Sequence, residues 1–314
     1  MLRQFIAMLF TACLITNPAA ATGVRQIAIT FDDAPTGKGP LFSGEERTRR
    51  LLQALEDAEI KGAMFFVITQ NIDRAEHGRD RLKAYVQAGH RLANHSHSHS
   101  WLWKNNATDY SNDIASAAGI LKQFDGVSPF YRFPYLDEGR SQEKRDAVRK
   151  WLRENSLLNG YVTVDNYDWY MNALFAEAVR VGGPIDHEAW RDAYVDILMR
   201  GVEFYDELAR ETLGRSPRHV LLLHENDLAA MFVDDLAEAL RRNGWEIIPA
   251  EEAYYDPIAQ TEPATTLNGQ GRAAAIAHSA GAREAHELVS RYESEDWLRY
   301  EFATRGLLSI GSGG

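Results

Sequence analysis

The stretch NHSHSHSW, Asn94 to Trp101, sets His95, His97 and His99 at alternate positions, and closely spaced imidazole nitrogens are donors for a metal ion. Which of them converge depends on the backbone. On a strand all three would face one way, whereas on a helical turn His95 and His99 would lie about 5–6 Å apart at Cβ and His97 would point elsewhere. Other polar groups suited to acid, base or oxyanion chemistry are Asp32 and Asp33 in TFDDAP, Arg132 and Tyr135 in RFPY, Asp165 and Asp168 in DNYDW, and His224 in LLLH. Each alone has a plain structural explanation. Paired aspartates before a proline commonly make a turn with a helix cap, and a histidine ending a strand is commonly just hydrogen-bonded.

Hydrophobic periodicity indicates what would carry these groups. VRQIAITF (24–31), GAMFFVI (62–68), HRLAN (90–94), PFYRF (129–133), GYVTV (160–164), HVLLLH (219–224) and WEIIPA (245–250) read as short buried strands. Helical spacing is expected over 45–59, 79–88, 107–124, 142–155 and 227–243. Strand alternating with helix implies an α/β fold with a mainly parallel sheet, closed or nearly closed as a barrel. The alternation breaks at about 170–216, where two helical stretches follow one another between strands five and six. Their aromatic and aliphatic residues, such as Leu174, Phe175, Trp190 and Tyr194, recur at near-helical spacing, so the insertion is expected to be ordered. It could either lid one end of the site or pack on the barrel's outer helices. Beyond Pro257 the pattern changes to a linker-like AQTEPATTLNGQG, a helical 272–292 and a frayed SIGSGG end, so 258–314 reads as a linker with a helical extension. The G-x-G-x-x-A at Gly269 follows no strand and reads as a turn.

The chain begins MLRQFIAMLFTACLITNPAAATG, with one cation, an apolar run and Ala19 and Ala21 in A-x-A spacing, the pattern of a secretory signal over 1–21. The run is short of the ~20 apolar residues a membrane span needs, so no integral membrane segment is expected after cleavage. An exported chain, periplasmic or extracellular, follows. The single cysteine, Cys13, lies in this leader, so the mature chain has no disulfide and rests on packing. The remaining 22–257 is long enough for one large β/α domain. A formal net charge of −11 argues against tracking a nucleic acid backbone or an anionic membrane surface, and favours a neutral or cationic partner.

The polar residues gather at the carboxyl ends of the expected strands, where barrels and open α/β sheets place their sites. Together they resemble the polysaccharide deacetylases of carbohydrate esterase family 4, also called NodB-like. TFDDAP (30–35) matches T-F-D-D-G-P, HSHSH (95–99) matches H-[ST]-x-S-H, and RFPY (132–135) matches R-x-P-Y. DNYDW (165–169) matches D-x-x-D-W, and LLLH (221–224) the closing L-x-H, all in the family's order. The resemblance implies a distorted seven-stranded β/α barrel and a hydrolase removing N-acetyl groups from amino-sugar residues of a polysaccharide or oligosaccharide.

It also implies the roles. Asp33, His95 and His99 would bind a divalent metal, zinc first, with cobalt or nickel accepted by the same donors, which selects the helical-turn geometry and leaves His97 a neighbour. Asp32 would act as base on a water activated by the metal, with Arg132 holding it ionised. The backbone N–H of Tyr135 would help stabilise the oxyanion. His224, oriented and raised in pKa by Asp168, would protonate the leaving amine. Trp169 and Leu222 would shape an apolar pocket for the acetyl methyl. One departure is Ala34 in place of the family's glycine, which matters only if the loop needs positive φ there, and tolerance is expected. Three alternatives compete. The first is an O-acetyl ester or other amide, such as a formamide, cleaved at the same site. The second, an inactive carbohydrate-binding relative, predicts a missing catalytic residue, and none is missing. The third, a metal-sequestering protein, does not explain Arg132, Asp168 and His224.

Overall fold

The computed structural model describes residues 23–308, so the expected leader and the SIGSGG end lie outside the described residues. The first half runs β1 (Arg25–Ala34), α1 (Gly44–Asp57), β2 (Met64–Val67), α2 (Asn71–Arg74), α3 (Gly78–Gln87), β3 (Arg91–Asn94), α4 (Ala107–Leu121), β4 (Val127–Tyr131) and α5 (Gln142–Glu154). Then come β5 (Leu158–Asn159), α6 (Asp168–Val181), α7 (His187–Leu213), β6 (His219–His224), α8 (Asp227–Arg242) and β7 (Trp245–Ile247). The chain closes with α9 (Ala250–Ala253), α10 (Gly271–Ser279) and α11 (Glu295–Thr304). Side-chain caps start five of the long helices, at Ser43, Asn106, Ser141, Asp186 and Asn226, each satisfying an otherwise orphaned N–H for about 1 kcal/mol.

All strand pairs are parallel, in the order β5-β4-β3-β2-β1-β6, with β7 on the first residues of β1. The sheet curls into a distorted barrel. The expected strand at 160–164 is the seam: Gly160 N–H bonds Tyr131 O of β4, and four residues on Val164 N–H bonds Val220 O and Val164 bridges Leu221 of β6. Because the segment changes partners midway, it forms no continuous ladder, and β5 is only two residues long. Gly160 is required there, since a Cβ would come within 2.6 Å of the Phe66 ring.

Side chains of a strand alternate between faces. Ile27, Ile29 and Phe31 of β1 face the surrounding helices, in the cluster that holds Leu55 and Leu236. Ala28 belongs with Met64, Phe66 and Leu222 in the barrel interior. Asp32 is in phase with Ala28 and Thr30, and β1 pairs with β6 so that Asp32 stands opposite His224. Register alone therefore brings these two groups together at the carboxyl rim.

The insertion lies outside the barrel. Trp190 packs on Phe175 and Phe302, with ring centroids 4.9 and 5.0 Å apart, joining α6, α7 and α11 in one block. Leu174, Tyr194, Ile197 and Leu198 are all buried in the cluster that includes α8. No residue of 170–216 is among those lining the pocket that holds Asp32 and His224, and the segment packs on the outer helices. The expected long helix at 272–292 ends at Ser279, because Gly281 takes φ +65° and stops it.

Candidate active site

Backbone strain marks the site. Of the eight non-glycine residues with positive φ among the described residues, five are Asp33, Ser96, His99, Tyr135 and Leu136. Such conformations cost of order 1–3 kcal/mol each and persist where surrounding structure over-determines them. Asp33 carries φ 69° at the end of β1, while Ala34 is not left-handed and is fully buried, so the alanine needs no glycine freedom.

The histidine loop is not a helical turn, which corrects that expectation. His95 continues β3 with its N–H on Val67 O, and left-handed Ser96 and His99 fold the chain back. Polar side chains hold this shape. Asn94 Oδ1 accepts the Ser96 N–H (2.8 Å), Asp113 of α4 accepts from the N–H groups of His97 and Ser98 (2.8 and 3.1 Å), and Ser96 Oγ accepts the His99 N–H (2.8 Å). The His95 and His99 rings end 5.0 Å apart, while His97 turns to Thr69 at 2.9 Å.

Asp33 Oδ1 lies 3.5 Å from His95 Nε2 and 3.3 Å from His99 Nε2. The three donor atoms lie within 4.8 Å of one another, and Asp33 Oδ1 is buried with no hydrogen-bond partner. An orphaned carboxylate oxygen facing two imidazole nitrogens fits a divalent cation, which would supply the missing partner. The Nδ1–H of His95 donates to Arg132 O at 2.9 Å, leaving Nε2 with its lone pair toward Asp33. Burial would raise the Asp33 carboxyl, but the adjacent His95 imidazole and the charges of His99 and His224 hold it well below the usual range. Burial lowers His99 to about 4 against the pull of Asp33, so its ring is neutral and able to ligate at pH 7.

Asp32 sits beside this group, its Oδ2 3.5 Å from His95 Nε2. Arg132 donates to Asp32 Oδ1 at 2.5 Å and spends its other donors on Thr30 Oγ1, Gly160 O and Tyr254 OH. With every nitrogen hydrogen-bonded and its plane also 3.8 Å over the Phe66 ring, the buried guanidinium is held in place. Across the pocket, His224 Nδ1–H donates to Asp168 Oδ1 at 2.6 Å. Asp168 Oδ2 accepts from His224 N–H and Asn226 Nδ2, both at 2.9 Å. Burial would lower His224, but the charge and hydrogen bond of Asp168, then Asp33 and Asp32, raise it to about 10.

Tyr135 is left-handed inside a one-turn 3-10 segment whose bonds run from Leu136 N–H to Phe133 and from Asp137 N–H to Pro134, leaving the Tyr135 N–H outside the ladder. Tyr135, Trp169 and Leu222 all line one pocket of about 750 Å³ with the metal donors, Asp32 and His224. Arg132 and Asp168 stand behind it. Sequence reasoning missed several contributors. Trp101 stacks on Tyr135 at 3.8 Å. Asp137 accepts from Trp103 N–H at 3.0 Å and so fastens that loop. Asn226 supports Asp168, while Asn268, Gly269, Gln270 and Glu295 form part of the wall. Only Asn226, two residues past the last motif, carried a positional signal. Asp165 also faces the pocket, and burial pushes its carboxyl up, as do the charges of Asp32 and Asp168.

The chain is similar to known proteins. Residues 19–152 match the polysaccharide deacetylase family model. A peptidoglycan-N-acetylglucosamine deacetylase of Bacillus cereus is 32% identical over 145 residues, an alignment that spans 46% of each chain. Another Bacillus cereus protein of that name is 27% identical over 249 residues, 77% of this chain and 76% of the relative. Among solved structures, a family 4 carbohydrate esterase from Streptomyces lividans in complex with acetate is 21% identical. It covers 71% of this chain and 91% of its own, at a TM-score of 0.47. The matched segment holds the first three motifs, and the two that follow it in sequence close the same pocket. Over residues 19–152, which hold three of the five motifs, the chain is similar to the polysaccharide deacetylase family.

Proposed function

We propose that this chain is an exported, metal-dependent hydrolase that removes N-acetyl groups from amino-sugar residues of a glycan, with zinc as its metal and cobalt or nickel able to replace it. The observation that carries the reading is the opposition across one pocket of an Asp33–His95–His99 donor set and a His224 charged through Asp168, with Arg132-held Asp32 between them. The names of the two Bacillus cereus relatives support an amino-sugar amide as the bond.

When bound, the cation would polarise the amide carbonyl and lower the pKa of water to about 7. Asp32, held in place by Arg132, takes the proton as water attacks. The Tyr135 N–H is free to meet the oxyanion. The amine cannot depart as an anion, and His224 protonates it while Asp168 retains the ring in position. A value of about 10 for His224 leaves it protonated at neutral pH, and a nearby dication would draw it down toward the range where proton transfer is efficient.

Acetate release from a panel of N-acetylated glycans, peptidoglycan and O-acetylated xylan, with and without added zinc, tests this. Zinc-dependent release from the N-acetylated members is expected. Release from the xylan alone would replace the amide by an ester, and release unaffected by chelation would refute metal dependence. No helix of the described residues is long and apolar enough to cross a membrane.

A further inference from the structure

The segment after α9 carries no motif and reads as a linker, yet it is fastened across the pocket. At one end Asn268 Oδ1 accepts the Glu138 N–H (3.0 Å), its Nδ2 donates to Gly139 O (3.3 Å), and Gly269 N–H donates to Leu136 O (3.4 Å). These bonds grip the loop that presents Tyr135. Behind it, Arg145 and Arg149 of α5 reach the carbonyls of Thr265 and Pro263 at 2.9 and 3.0 Å, and Arg272 N–H bonds Val162 O at 2.6 Å. At the other end Arg299 of α11 pairs with Glu177 of α6 at 2.7 Å, and Phe302 packs on Trp190. Glu295, in the first turn of α11, stands near the Tyr167 phenol, which is raised by burial and then by Asp165, Glu293 and Glu295. The segment thus spans from the Tyr135 loop to the rim that holds Tyr167 and Trp169. Between its two anchorages it contributes Asn268, Gly269, Gln270 and Glu295 to the pocket lining.

We propose that this strap determines which glycans enter. It walls the pocket between the Tyr135 loop and α6, so that the site takes a short, uncharged amino-sugar oligomer or a chain end, not the interior of a long polymer. Two observations carry this. A volume of about 750 Å³ lies within the range of about 300–1,000 Å³ typical of small-ligand pockets. The wall's side chains at Gln270 and Glu295 offer partners for sugar hydroxyls, and Glu295 disfavours an acidic sugar beside it. The inference relies on the deacetylase reading for its chemistry but not for its shape.

The test compares wild type with a Gln270→Ala/Glu295→Ala variant and with one that adds Asn268→Ala to loosen the strap. Acetate release is measured on short N-acetylglucosamine oligomers and on a long soluble chitin derivative, and binding of both is followed by quenching of tryptophan fluorescence, since Trp101 and Trp169 line the pocket. Wild type should favour the oligomers. The ratio of kcat/KM on the long chain to that on the oligomers should rise roughly 10-fold in the double variant, the size expected for pocket contacts, and further in the triple. An unchanged ratio in the folded double variant overturns the proposal, as does a wild type that prefers the long chain. A wild type that binds oligomers but releases no acetate refutes the reaction alone, and the affinity ratio then decides the wall by the same criterion. Wild type that binds neither glycan overturns the wall as a sugar-selecting element.

Discussion

His99 and His224 open onto the same pocket, yet burial takes His99 down to about 4 while His224 is held up to about 10. The difference lies behind the rings. At His99 desolvation prevails over the pull of Asp33, so the ring stays neutral with a lone pair to give. On the far side a fully buried carboxylate, Asp168, bonds His224 Nδ1 and outweighs the same desolvation. One residue type thus takes opposite charge states across a single pocket, according to whether a buried carboxylate is fixed on its ring.

The largest effect should come from breaking the ligand side. His95→Ala or His99→Ala should abolish stoichiometric zinc binding and cut turnover by about 1,000-fold or more, since metal assistance is worth several kcal/mol. His97→Ala, whose ring bonds Thr69 instead, should retain zinc. Metal analysis of the purified variants checks this, and equal loss in all three would dissolve the contrast between His97 and its neighbours. Next, Asp32→Asn and His224→Ala should each lower kcat by roughly 100-fold with zinc retained, the usual size of general acid-base terms. Normal turnover in either would remove that residue from the mechanism.

Asp168→Asn sharpens the comparison by making the acid side resemble the ligand side. His224 then loses the charge that raises it, so the alkaline limb of the pH–rate profile should move to lower pH, with kcat down about 10-fold or more. A limb that stays in place would mean another group sets it. The smallest effect concerns stability of the metal-free protein. His224 has a folded pKa of about 10 against 6.5 when free, so its contribution is complete below about pH 6.5 and is lost as pH rises toward 10. The Tm should fall across that window, and Asp168→Asn should flatten the fall. Identical slopes in both proteins would refute the linkage.

Strand and helix positions could be read from periodicity because burial imposes it locally, and HVLLLH (219–224) coincides with β6. The candidate site residues were legible for a related reason: Asp32, Asp33, His95, Arg132 and His224 sit at or just past strand ends and Asp168 opens α6, all within short motifs whose residue types the chemistry demands. Their meeting is a matter of register, Asp32 against His224 across β1 and β6, which no single segment encodes. Spacing left the geometry at His95 and His99 open and the helical turn that the resemblance selected is not formed, because Asn94, Ser96 and Asp113 shape a left-handed loop in its place. The function of the insertion and of the strap was invisible along the chain. A buried apolar helix face has the same period whether it covers a site or an outer helix, so α7 could be placed only by seeing Trp190 against Phe175 and Phe302. Asn268 lies 130 residues from the Glu138 N–H it accepts, and a polar turn sequence does not specify so distant a partner. Local chemistry and periodicity were written in the sequence, whereas contacts between remote segments existed only once the barrel had closed.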